Sequence, residues 1–135
     1  MKRKIIIFIL VLCSLFLLHY LIKYNINHPV GKLSLDEIDS IRLNNEIYDV
    51  TRNESLIREF LAAYNKAKIN RNQELYTTPD FVAVINLKNR ESIRILDGDG
   101  IYCHMEYKDK SFTAYSPDLV KFLEDMASDT AGSDR

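Results

Sequence analysis

The chain has 135 residues, 47% of them hydrophobic, and 18 basic against 19 acidic residues; one apolar run near its start leaves roughly 110 residues to fold in water, the size of one small domain. Lys2, Arg3, Lys4 and Lys23 all flank that run, so 14 basic residues face 19 acidic ones from Tyr24 onward, a net charge of −5. A net-acidic domain with no basic stripe repels phosphate backbones, which excludes a nucleic-acid partner.

Residues 1–4 are a basic flank, and 5–22 carry no charge. Eighteen residues at about 1.5 Å each give roughly 27 Å, close to the hydrocarbon thickness of a bilayer, so the run predicts a transmembrane helix. Three basic residues precede it and only Lys23 follows; this bias keeps the amino terminus in the cytoplasm and sends the remainder across. Tyr20 and Tyr24 fall where interfacial aromatics sit. Three readings compete: a permanent anchor, a cleaved secretory signal, and a lipoprotein signal acylated on Cys13. The anchor is favoured. Leu12 stands where a lipoprotein signal needs a small residue, no pair of small residues offers a cleavage site, and the run exceeds the core of a secretory signal.

Residues 23–32, with Pro29 and Gly31, read as a tether in which His28 is a solvated linker residue. Ile38–Leu43 and Glu46–Val50 predict two strands around an Asn44-Asn45 turn. Thr51 stands three residues before Glu54, the spacing of a capping box, and Leu56, Ile57, Phe60, Leu61, Tyr64 and Ala67 recur as the apolar stripe of a helix. Arg58, Lys66 and Lys68 lie off that stripe as a solvated face. The polar segment 69–80 reads as a loop open to mobility or partner contact. Residues 81–87 are apolar on both alternating sets and predict a central strand, either set of which can face the helices. Ser92–Leu96, Ile101–Tyr107 and Ser111–Tyr115 follow with short turns, making an antiparallel meander. Ser116-Pro117-Asp118 opens a last helix with a hydroxyl cap, a proline whose missing amide is harmless, and an acid at the positive helix end. Residues 128–135 have nothing to bury and are expected to be disordered.

GDGIYCHMEY, Gly98 to Tyr107, gathers a thiol, an imidazole, a thioether and a carboxylate. Strand alternation splits them: Cys103 and Met105 point one way, Tyr102, His104 and Glu106 the other. Of two registers for the following hairpin, a turn centred on Lys108-Asp109 is preferred, because it sets Met105 against Phe112 and Cys103 against Ala114, apolar on apolar. Cys103 and Met105 then lack the third ligand a Cu(I) centre needs, and Cys103 reads as a small buried hydrophobe. With Cys13 inside the apolar run, no structural disulfide is expected. DGDG lacks the further oxygen ligands of a calcium loop and reads as a turn. No glycine-rich phosphate loop, nucleophile elbow, HExxH or CxxC occurs.

The layout, a basic start and one apolar segment, then IDSIRL, LIREFLAAYNKA, a meander containing GIY and a closing SPDLVKFLEDM, resembles the small membrane-anchored or lipoprotein-type extracytoplasmic domains of uncharacterised function from Gram-positive bacteria. The similarity covers most of 33–127, in apolar spacing and turn chemistry. It implies an α+β domain outside the membrane and carries over no catalytic residue.

The expectation is a single-pass membrane protein: a transmembrane helix, then a two-layer α+β domain over 33–127, a meander sheet of about six strands with two helices packed on one face. Lipid is the partner of 5–22, and a protein or peptide is the partner of an outer sheet face carrying Tyr102, His104, Tyr115 and Arg94. No cofactor or metal is called for, and the function is a binding, sensing or immunity-type module without catalysis. The alternative is a small metal-dependent or hydrolytic enzyme using His104 and Glu106.

Overall fold

The computed structural model describes residues 2–26, 28–70, 82–97 and 100–132. Most of the expected loop at 69–80 and part of DGDG lie outside them. The first helix, α1, is Lys2–Ile26. It is apolar all round, as a helix must be when no single face is to be buried against protein. Its stretch Arg3–Tyr20 is long and apolar enough to cross a membrane, and none of it is buried in the fold. The helix outruns the expected 5–22 by one turn at its end. The side chains of Lys2 and Lys23 fall outside the described residues, and those of Arg3 and Lys4 are exposed.

Seven antiparallel strands follow: β1 (Ile38–Leu43), β2 (Glu46–Asp49), β3 (Lys68–Ile69), β4 (Val82–Leu87), β5 (Ser92–Asp97), β6 (Tyr102–Tyr107) and β7 (Lys110–Tyr115), with α2 (Glu54–Tyr64) between β2 and β3 and α3 (Pro117–Gly132) at the end. Their order in the sheet is β2-β1-β4-β5-β6-β7-β3. The chain is thus α+β, with β4 to β7 forming the meander. β3 is a strand more than the sequence predicts: Lys68 pairs with Tyr115 and Ile69 with Ala114, closing the edge beside β7.

The preferred β6–β7 register is the one observed, with Cys103 opposite Ala114, Met105 opposite Phe112 and Tyr102 opposite Tyr115. Lys108 and Asp109 both take positive φ, 49° and 60°, which gives a two-residue turn the twist its strands need. The open choice in β4 resolves to Ala83, Ile85 and Leu87 buried and Val82, Val84 and Asn86 half-buried. The core joins these to Ile41, Ile93, Ile95, Cys103 and Met105 from the sheet, Ile57, Phe60, Leu61 and Tyr64 from α2, and Leu119, Val120 and Leu123 from α3. Phe60 lies edge-on to Phe122 at 5.7 Å between ring centroids, tying the two helices together.

Three local expectations need correction. Thr51 does not form a capping box with Glu54: the hydroxyl donates to the Asp49 carboxylate, which also accepts the Arg52 N–H at 2.9 Å. Asn53 then becomes the cap residue. An aspartate two residues upstream outcompetes the glutamate because the β2–α2 turn folds back onto it. A box of this kind does occur at the 3-10 turn Leu35–Glu37, where Glu37 accepts the Ser34 N–H and hydroxyl at 2.8 Å each. At the far end, helix α3 continues through 128–132, where disorder is expected from composition; residues 133–135 lie outside the described residues. The third correction is His28, which is buried.

Candidate functional site

The outer side of the meander carries the four side chains singled out from sequence. Tyr102 and Tyr115 are cross-strand partners whose rings meet edge to face at 5.8 Å. Tyr115 is 40% exposed, Tyr102 and His104 are half-buried, and Arg94 is exposed. Arg94 lies opposite Glu106 on β5–β6, and its guanidinium approaches the carboxylate at 3.6 Å. His104 sits between Leu96 and Thr113 on the neighbouring strands. The structure therefore brings Tyr102, Tyr115, His104 and Arg94 onto one surface, with the aromatic pair at the end nearest β3.

That geometry bears on the acid–base reading of His104 and Glu106. The two are i and i+2 on one strand, on an open sheet surface, and the carboxylate faces an arginine rather than an enclosed cleft. Among the described residues no group of three or more His, Cys, Asp or Glu side chains converges as metal ligands would. Cys103 and Met105 are fully buried on the opposite side, in the core.

A second locus has no sequence forecast. Residues 28–33 lie as a strap across the C-terminal end of α2. His28 is 5% exposed. Its Nδ1 accepts the backbone N–H of Gly31 at 2.9 Å and of Val30 at 3.3 Å, so the ring carries its proton on Nε2, which donates to the Tyr64 carbonyl at 2.9 Å. The imidazole stacks obliquely on the Tyr64 ring at 4.6 Å. Burial holds its pKa below the ordinary histidine value, against the opposing pull of the Tyr64 carbonyl. Tyr64 donates its hydroxyl to the Gly31 carbonyl at 3.1 Å. The Asn65 side chain spans Leu33, accepting its N–H and donating to its C=O at 2.8 Å each. Gly31, at φ 127°, makes the bend that brings these groups together.

Beside the strap opens a cleft of about 620 Å³, lined by His28, Lys32, Asn65, Lys68, Tyr115 and Ser116 among others. Lys66 and Asp118 pair across it at 2.6 Å, from the end of α2 to the start of α3. Tyr115 thus borders both the outer sheet face and the cleft. The signal missed was long-range: the partners of His28 and Leu33 lie 36 and 32 residues away, beyond any local pattern. No family model, no curated protein and no solved structure matches the chain.

Proposed function

We propose that the protein is a binding module without catalytic activity, held at the cell membrane by α1 with its amino terminus in the cytoplasm, presenting the α+β domain outside. One observation carries the reading: an edge-to-face tyrosine pair, with His104 next on the same side of β6 and Arg94 farther along that face against Glu106, stands on the side of the sheet opposite the core. Large rigid aromatics are side chains that partner surfaces favour, because they supply contact area at little entropic cost, and Arg94 adds a guanidinium elsewhere on the same face. An extended or flat protein segment is the partner such a surface fits. The apolar helix α1, unburied along Arg3–Tyr20, and the basic residues ahead of it support the anchoring and its direction.

The test places a photo-crosslinking side chain at His104 of the full chain in its native membrane, with Ile47, exposed on β2, as the control position. A crosslinked partner is expected from His104 alone, and its yield should collapse in the Tyr102→Ala/Tyr115→Ala variant while the unfolding midpoint shifts little. Equal yields from both positions, or yields unchanged in the double variant, would overturn the assignment. A reporter fused after Arg135 should be active only outside the cytoplasm.

A further inference from the structure

We propose that the cleft between the strap, α2 and α3 binds a phosphate-bearing anion, drawn from a lipid headgroup or from a soluble phosphomonoester. Its volume, about 620 Å³, falls within the roughly 300–1,000 Å³ of small-molecule sites. The charge around it runs against that of the domain. Where the chain from Tyr24 onward has a net charge of −5, the lining among the described residues holds Lys32, Lys66 and Lys68 against one carboxylate, Asp118.

Independent support comes from the start of α3. Ser116 lines the cleft, is 1% exposed, and its Oγ has no hydrogen-bond partner among the described residues. Its main-chain groups are both used, the N–H by the Ile101 carbonyl at 2.9 Å and the carbonyl by the Val120 N–H at 3.0 Å. A buried hydroxyl left unpaired is costly, and a ligand oxygen would complete it. Pro117 follows as the first helical residue and has no N–H, so the free donors of the first turn begin at Asp118 and Leu119, at the positive end of the helix dipole. The chemistry of the cations selects the anion. Among the described residues the cations of the cleft are all lysines, whose ammonium groups act as point charges, which suits the several oxygens of a phosphate better than the planar carboxylate an arginine fork would grip. Alanine and proline side chains from Ala62, Ala67 and Pro117 give the remaining wall an apolar character that a bare ion would not require. The strap begins two residues after the end of α1, which sets the cleft close to headgroup level if α1 is the anchor.

The experiment uses the full chain, isotope-labelled, in a non-ionic phosphate-free detergent, titrated with inorganic phosphate against chloride at matched ionic strength. Saturable amide shifts are expected at Ser116, Asp118 and Leu119 and at Lys32 and Lys68. Lys32→Gln with Lys68→Gln should weaken the apparent affinity at least about tenfold, and Ser116→Ala by about threefold. Nanodiscs of phosphatidylglycerol and of a phosphate-free galactolipid separate the sources. A headgroup ligand shifts the cleft amides in the first disc before any phosphate is added; a soluble ligand leaves both discs alike until phosphate enters. Absence of saturable shifts in every arm, or shifts undiminished in the double lysine variant, would overturn the proposal.

Discussion

The two faces of the meander are made from the same strands, share the same ladder hydrogen bonds, and differ only in what each alternate side chain meets. On the inner face Ile85, Ile93, Ile95, Cys103, Met105 and Ala114 are at most 1% exposed and belong to the one buried cluster that also takes in residues of both helices. On the outer face Tyr102, His104 and Glu106 are half-buried, and Arg94 and Tyr115 are exposed. Burial of apolar area at about 25 cal/mol per Å² stabilises only the inner set strongly. The outer set is therefore free to be chosen for contact with something else, and substitutions there should separate binding from folding.

The largest effect belongs to the inner side. Phe60, fully buried between Tyr64 and Phe122, should cost about 3–5 kcal/mol as Phe60→Ala, from lost transfer energy and the cavity left behind. Met105→Ala should cost about 2–5 kcal/mol, while Glu106→Ala, one residue further along the same strand, should stay within about 0.5 kcal/mol. Denaturant unfolding of the full chain in mild detergent measures all three. Equal losses at Met105 and Glu106 would break the contrast between the faces.

Histidine gives a second, sharper version of the same contrast. His104→Gln on the outer face should leave stability within about 0.5 kcal/mol. His28→Gln should lose about 1–3 kcal/mol, because it removes the bonds to the Tyr64 carbonyl and the Gly31 N–H from a buried site. The pH dependence separates them further. His28 has a folded pKa below its unfolded value of 6.5, so as pH falls through that value the unfolded chain takes up the proton first and stability drops, levelling once the folded-state pKa is passed. Above pH 6.5 the term is absent. Protonation would also place an N–H on Nδ1, facing the Gly31 and Val30 donors, with the positive charge of Lys32 adding to the penalty. The wild-type minus His28→Gln difference in unfolding free energy should therefore shrink on acidification, and a difference independent of pH would show that the imidazole is not buried in its neutral form.

These two histidines also mark how far the chain can be read without its structure. The facing of β6 and β7 was legible because it rests on period-two alternation plus a two-residue turn, both local, and the pairing of Cys103 with Ala114 followed from matching apolar to apolar. The inner and outer sets of β4 were not legible, since Val82, Val84, Ala83 and Ile85 are all apolar and the choice falls to which set meets Phe60 and Ile57. His28 was misread for a related reason. A polar segment with proline and glycine has the composition of a tether, yet Asn65 and Tyr64 satisfy its backbone from across the fold. The turn at Asp49 shows competition at short range, where two acids could each serve Thr51 and only the path of the chain decides between them.

Removing the aromatic pair tests the outer face at intermediate size. Tyr102→Ala/Tyr115→Ala should lower stability by about 0.5–1.5 kcal/mol, the worth of an edge-to-face pair beyond its modest burial. Its effect on crosslinking from His104 should be far greater in proportion. A stability loss as large as that of Met105→Ala would mean the pair is core rather than contact surface.

The smallest effect is expected of the Arg94–Glu106 pair. Its nitrogen and oxygen stand 3.6 Å apart, longer than a well-formed charge-assisted hydrogen bond, with side chains 54% and 38% exposed. Solvent and salt screen such a pair, and fixing two long side chains offsets much of the attraction. A double-mutant cycle on Arg94→Ala and Glu106→Ala should give a coupling energy below about 0.5 kcal/mol, falling further as salt is raised. The same guanidinium should nonetheless matter for crosslinking yield, because in a complex it would be shielded from water and its partners would change. A coupling above about 1 kcal/mol in the isolated protein would instead make the pair a structural clasp of β5 to β6, and Arg94 would no longer be a charge that the outer face can offer to a partner without cost to its own fold.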